Sequence, residues 1–195
     1  LVARPLGLEF HIGLPAGLHP RVAVLLDSPP ATHPVLAAYL AQFHPGTLTG
    51  RAHFATPAGM GHMAGLFNRE QMWAAEFPSG GGIGNARGLA TMYDALANGG
   101  SRSGVRLVSE GSLARHSAEA RRGPDLVLLY DTRYALGYQL PAPYADFGAV
   151  PTAFGHGGLG GSMAFADPAH RMAAAYTPNQ LRYTGPGEPT RAGTL

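Results

Sequence analysis

The chain is 195 residues long, 45% hydrophobic and close to neutral, with a formal net charge of +2; that is one domain or part of one, and it is long enough to bury a core. It has no cysteine, which excludes disulfides and thiolate metal sites, and all fourteen basic residues are arginine, which excludes a Walker A loop and a pyridoxal Schiff base, both of which need lysine. The arginines are scattered, so no basic stripe argues for nucleic acid, and no apolar run approaches the roughly 18 residues of a membrane-spanning helix.

Leu1-Val2-Ala3-Arg4-Pro5 lacks the basic start and apolar core of a signal peptide, and Arg4-Pro5-Leu6-Gly7 reads as the end of a helix or turn. Residues 21–26 are apolar and short, compatible with a strand or a buried segment. Residues 35–43 predict a short helix, stopped before His44-Pro45-Gly46. Residues 44–84 read mostly as loop, with a helical turn or two around 65–68 and 71–76 and a flexible junction at 78–82. The best helix runs from Ala86 to Ala97. Asn85 caps its start and Gly99 stops it. Leu89, Met92, Tyr93 and Leu96 recur at i, i+3, i+4 and i+7, which predicts one buried stripe. A second helix starts after Ser109, with Glu110 in its first turn, and ends near His116. Strand-like runs follow at 126–130, 134–140, 153–156, 162–166 and 172–176. The last four lie close together between Gly or Pro turns and predict an antiparallel sheet, with Pro168-Ala169-His170 as a tight connection. The tail at 185–189, rich in Pro and Gly, cannot be helical.

The most informative stretch is 154–168, Phe154-Gly155-His156-Gly157-Gly158-Leu159-Gly160-Gly161 followed by an apolar run ending at Asp167-Pro168. Glycine lacks Cβ, so the backbone can offer its amides to a close neighbour. The bland alternative is a histidine at a strand end in a glycine-rich turn. Gly155-x-Gly157-x-x-Gly160 also satisfies a dinucleotide fingerprint, but the sequence after it is strand-like where that site needs a helix, and Glu188 lies too far along. The nine histidines contain no H-E-x-x-H, and His44, His53 and His62 sit nine apart in loop-like sequence, so no metal site is expected. No G-x-S-x-G elbow exists. Ser79 and Ser162 have no identifiable base, and Met72 and Trp73 read as core or cleft wall.

These residues resemble the serine beta-lactamase-like hydrolases: class C beta-lactamases, their esterase relatives and penicillin-binding-protein-like peptidases. In that family a strand carries Lys-Thr-Gly, or His-x-Gly in many esterase-like members, which is His156-Gly157-Gly158 here. Pro5-Leu6-Gly7-Leu8-Glu9-Phe10 is similar to a second family segment, with Ile12-Gly13-Leu14-Pro15 fitting an esterase-like branch. Asn85-Ala86-Arg87-Gly88-Leu89-Ala90-Thr91-Met92-Tyr93, closing with Ala97-Asn98-Gly99-Gly100, is similar to a family helix, and Leu107-Val108-Ser109 to the segment after it. The order and spacing carry the likeness over residues 1 to about 180.

The resemblance implies an α+β fold, an antiparallel sheet flanked by helices, of which residues 1–195 are the C-terminal part of a single domain, with the N-terminal half and the final helix missing. It implies that Leu159 supplies an oxyanion amide, that His156 hydrogen-bonds the substrate or steadies the Tyr and Ser hydroxyls, and that Gly155, Gly157, Gly158 and Gly160 line the substrate site. No cofactor is implied. The substrate is a small ester or amide, and His in place of Lys favours neutral ones. The S-x-x-K nucleophile motif cannot be encoded without lysine, and arginine cannot stand in as a base because its guanidinium stays protonated. The chain is therefore expected to be inactive alone and to expose apolar surface where other helices would cover the sheet. The competing expectation is a non-catalytic binding module that keeps the hydrolase sheet.

Overall fold

A computed structural model of the chain describes residues 2–29, 34–54, 63–142, 145, 147, 150–158 and 160–183. It opens on helix α1 (Ala3–Leu6), which ends where Gly7 turns left-handed (φ 63°) and gives its N–H to Arg4 O. Strand β1 (Phe10–Ile12) and a 3-10 helix (Ala16–Arg21) follow. The strand or buried segment expected at 21–26 is corrected here. Its one ladder contact is a parallel bridge from Leu26 to Gln180, and Val24 and Leu26 are exposed. Side chains meet its polar groups instead: Asn68 accepts from Leu25 N and donates to Leu25 O, each at 2.8 Å.

Helices α2 (Pro34–Leu40), α3 (Leu48–Phe54), α4 (Met63–Phe67) and α5 (Glu70–Ala74) come next. α3 lies where mostly loop was expected. Thr47 starts it, its Oγ1 accepting from Gly50 N at 2.9 Å. Strand β2 (Gly82–Gly84) returns to pair antiparallel with β1. A Cβ on Gly82 or Gly84 would meet the Phe10 ring, so the glycines let that ring lie across the pair.

Helix α6 (Ala86–Ala97) has the predicted bounds. Asn85 Oδ1 accepts from Gly88 N at 2.8 Å, and Gly99 and Gly100, both at positive φ, end it. A short hairpin of β3 (Ser101–Arg102) and β4 (Val105–Arg106) leads to helix α7 (Glu110–Ser117), capped by Ser109.

Strands β5 (Arg121–Pro124) and β6 (Asp131–Tyr134) pair antiparallel, as do β7 (Phe154–Gly157), β8 (Met163–Asp167) and β9 (Met172–Tyr176) in the order β7-β8-β9. The strand expected at 126–130 is a turn instead. Asp125 Oδ1 accepts from Val127 N at 2.8 Å and Leu128 N at 2.9 Å, and Leu129 takes φ 64°. The run expected at 134–140 stops being a strand at Tyr134, where the chain turns through Gly137 at φ 98°. Gln139 alone then re-enters the ladder, bridging Tyr134 on one side and Gly155 on the other. That single residue stitches β6 to β7.

The sheet separates two cores by strand parity. On one face Ala164 and Ala166 of β8 meet α6, whose Tyr93, Leu96 and Ala97 pack with Phe154, Leu113 and Leu140. Leu89 and Met92 of the predicted stripe are half-buried against the same core. Alanine on β8 lets the helix lie close. On the other face Phe165 stacks on Phe147, ring centroids 5.6 Å apart, beside Ala145 and Ala153. Asp167 closes the β8–β9 turn while buried: it accepts from Ala169 N at 3.0 Å, His170 N at 3.3 Å and His170 Nδ1 at 2.6 Å. Among the described residues, no helix is long and apolar enough to cross a membrane.

Candidate active site

β7 holds the predicted motif between β8 on one side and Gln139 on the other. Phe154 is buried at its start, while His156 and Gly157 are exposed. Backbone groups of Gly155 face outward and pair with Gln139, which donates its N–H to Gly155 O at 2.8 Å and accepts from Gly155 N at 3.0 Å. Two residues on, Gly157 N again faces outward and donates to Gln139 Oε1 at 2.9 Å. The carboxamide's other end, Nε2, donates to Tyr134 OH at 3.2 Å. The Tyr134 ring lies 6.4 Å from that of His156. A shallow groove beside this network is lined by Arg133, Tyr134, Gln139 and Ala142.

The His156 ring is turned back onto its own strand. Nδ1 lies 2.7 Å from Gly157 O. A carbonyl oxygen only accepts, so Nδ1 carries the hydrogen, and in the neutral ring Nε2 keeps the lone pair. His156 therefore presents an acceptor, suited to a hydroxyl.

The glycines answer to different neighbours. A Cβ on Gly155 would run into Ala164 O and Phe165, one on Gly158 into Ser162 Oγ, and one on Gly160 into the end of the Leu181 side chain. The neighbouring strand's backbone thus accounts for Gly155, whereas at Gly158 and Gly160 the atom met is the movable end of a side chain. Gly157 is the exception: among the described residues outside its chain neighbours, the nearest atom to an added Cβ is Gln139 Oε1 at 3.7 Å, ordinary contact distance. Of the predicted positions, His156, Gly155, Gly157 and Gly158 come together on β7 and its end, and Gly160 sits in the following turn, accepting from Arg182 N at 3.0 Å. Leu159 lies outside the described residues.

The basic residue lining the groove is already paired. Arg133 donates to Glu119 Oε2 at 2.7 Å and to Pro141 O at 2.7 Å. Glu119 also accepts from Arg122 at 3.0 Å. The hydrogen bonds from Arg122 and then Arg133 pull the Glu119 carboxyl down to about 2. Among the described residues no group of three or more His, Asp or Glu could hold a metal ion.

Tyr134 and Gln139 were not anticipated as site residues. The signal available was slight: Gln139 is the one amide side chain in the otherwise apolar run Tyr134-Ala135-Leu136-Gly137-Tyr138-Gln139-Leu140.

The family model for Beta-lactamase matches residues 1–193. The chain is 37% identical over 123 residues to Esterase/beta-lactamase LipL of Mycobacterium tuberculosis, covering 62% of this chain and 28% of that protein. Among solved structures it is similar to a family VIII carboxylesterase, with a TM-score of 0.78 and 33% identity over 96% of this chain and 46% of that one. It is also similar to a penicillin-binding protein homolog from Caulobacter crescentus, with a TM-score of 0.75 and 34% identity over 96% of this chain and 47% of that one. The chain spans less than half the length of each of these relatives.

Proposed function

This chain belongs to the beta-lactamase family, and from that premise we propose that it is the motif-bearing part of an esterase-like serine hydrolase whose nucleophile lies outside residues 1–195. The reaction is acyl transfer: a serine hydroxyl attacks the carbonyl of a neutral ester or amide, the leaving group departs, and water releases the acyl group from the serine.

The observation that carries this reading is the contact between His156 Nδ1 and Gly157 O. With Nδ1 tied to Gly157 O, Nε2 is free to accept from a hydroxyl and so to orient it without adding a fixed positive charge. A lysine there would instead hold a substrate carboxylate. Leu159 N–H is proposed as one oxyanion donor. It stands three residues beyond His156, the first position of the family motif, and the assignment rests on that resemblance. Such a donor contributes about 3–4 kcal/mol to the transition state, and only beside a nucleophile.

The test is a chromogenic short-chain ester. Purified 1–195 is expected to give no turnover, and the polypeptide extended through an in-frame S-x-x-K segment is expected to give an acyl-enzyme burst. Turnover by pure 1–195, abolished by a serine-directed inhibitor, would overturn the reading.

A further inference from the structure

The outward edge of β7 is where a peptide would dock by adding itself as a strand, and the chain has filled that edge with its own atoms. Gly155 spends both its N–H and its C=O on the Gln139 backbone. Gly157 spends its N–H on Gln139 Oε1 and its C=O on His156 Nδ1. All four outward backbone groups from 155 to 157 are satisfied, the two at Gly157 by side chains.

We infer that Gln139 is a specificity-determining residue: its carboxamide occupies the strand-addition position at Gly157, so the site refuses peptides and admits compact esters. This rests on the hydrolase reading above for what the site is for. The reason is an exchange of hydrogen bonds. An incoming peptide strand draws its affinity from main-chain bonds to the edge. At Gly157 it must first displace the carboxamide from Gly157 N and from Tyr134 OH, and the imidazole from Gly157 O. It regains about what it breaks, so the edge contributes little. A compact ester needs none of those groups. It needs space, and space is what the missing Cβ of Gly157 leaves: among the described residues outside its chain neighbours, no atom lies nearer than 3.7 Å.

The polypeptide extended through the S-x-x-K segment tests this by NMR, with no turnover required. Gly157 amide exchange is measured, and N-acetyl-alanyl-alanine amide is titrated against the Gly155–Gly158 resonances. Wild type is expected to protect Gly157 and to show no saturable shift. Gln139→Ala is expected to exchange about tenfold faster at Gly157, the loss of one hydrogen bond, and to gain saturable shifts. Gln139→Met removes the acceptor but keeps the stem, and gives the same result should the alanine variant lose its fold. Gln139→Glu still accepts from Gly157 and is expected to match wild type in both readouts. Saturable peptide shifts in wild type, or a peptide response left unchanged by removing the acceptor, overturn the inference. Ester turnover by the extended polypeptide is a separate measurement. Its failure would sink the esterase reading and leave the peptide-excluding edge standing, and the reverse holds equally.

Discussion

At Gly155 an added methyl would meet backbone of the neighbouring strand, whereas at Gly157 it would meet ordinary contact distance. Gly155→Ala is therefore expected to destabilise the chain by about 1–3 kcal/mol through overpacking, and Gly157→Ala to stay within about 0.5 kcal/mol. Urea midpoints of the two variants check this, and equal losses would show that the glycines have one shared purpose. Glu119 gives a second residue-level expectation. Its carboxyl ordinarily titrates near 4.5 and is held down to about 2 in the fold. A depressed carboxyl stabilises the fold above its unfolded value and loses that contribution as pH falls through the folded one. The stability gap between wild type and Glu119→Gln is expected to be full at pH 6 and to close between about 4.5 and 2. A gap that stays constant over that window would mean that the Arg122 and Arg133 contacts do not hold in solution.

Among the elements, α6 depends on its cap. Asn85 accepts from Gly88 N and donates Nδ2 to Glu9 Oε2 at 2.7 Å. Asn85→Ala is expected to cost about 1 kcal/mol, read as a lower urea midpoint. No change would mean the helix start is held by packing alone. α6, α7 and β7–β9 were legible because local signals and tertiary demands agree there: a cap, a stripe of period 3.6, a short apolar run at β8, and turns between the strands. The turn at 126–130 was not, because one carboxylate at Asp125 gathers two amides and overrides an apolar, β-prone run. β2 was missed for the opposite reason. Gly82-Ile83-Gly84 has no strand propensity and becomes a strand only because β1 lays Phe10 across it. In the candidate site, His156 was legible from its glycine surroundings. Gln139 was not, since its partners at Gly155 and Gly157 are 16 and 18 residues away and meet it only once the sheet has formed.

Over the whole molecule, apolar side chains stay in contact with water: Leu126 is 71% exposed and Val24 64%, with Leu26, Leu136 and Met172 near half or more. The expectation placed uncovered apolar surface on the sheet, and of these residues only Met172 lies on a described strand, the others being in turns and irregular segments. At micromolar concentration the chain is expected to bind an apolar dye and to self-associate. Sedimentation as a monomer, with a cooperative melt and little dye signal, would count against it. Part of that surface belongs to the irregular segment 22–28, which is held by the side chains of Asn68, Asn179 and Gln180 and a single bridge at Leu26, so it is expected to open before the sheet does.

The Asp167–Pro168 peptide bond is of the kind that dilute acid splits, through attack of the aspartyl carboxyl on its own carbonyl carbon. Here that carboxyl is turned toward the amides and imidazole of Ala169 and His170 and shielded from water. Scission at this bond thus becomes a covalent record of unfolding: intact mass while the hairpin persists, and two pieces parted after residue 167 once it has melted.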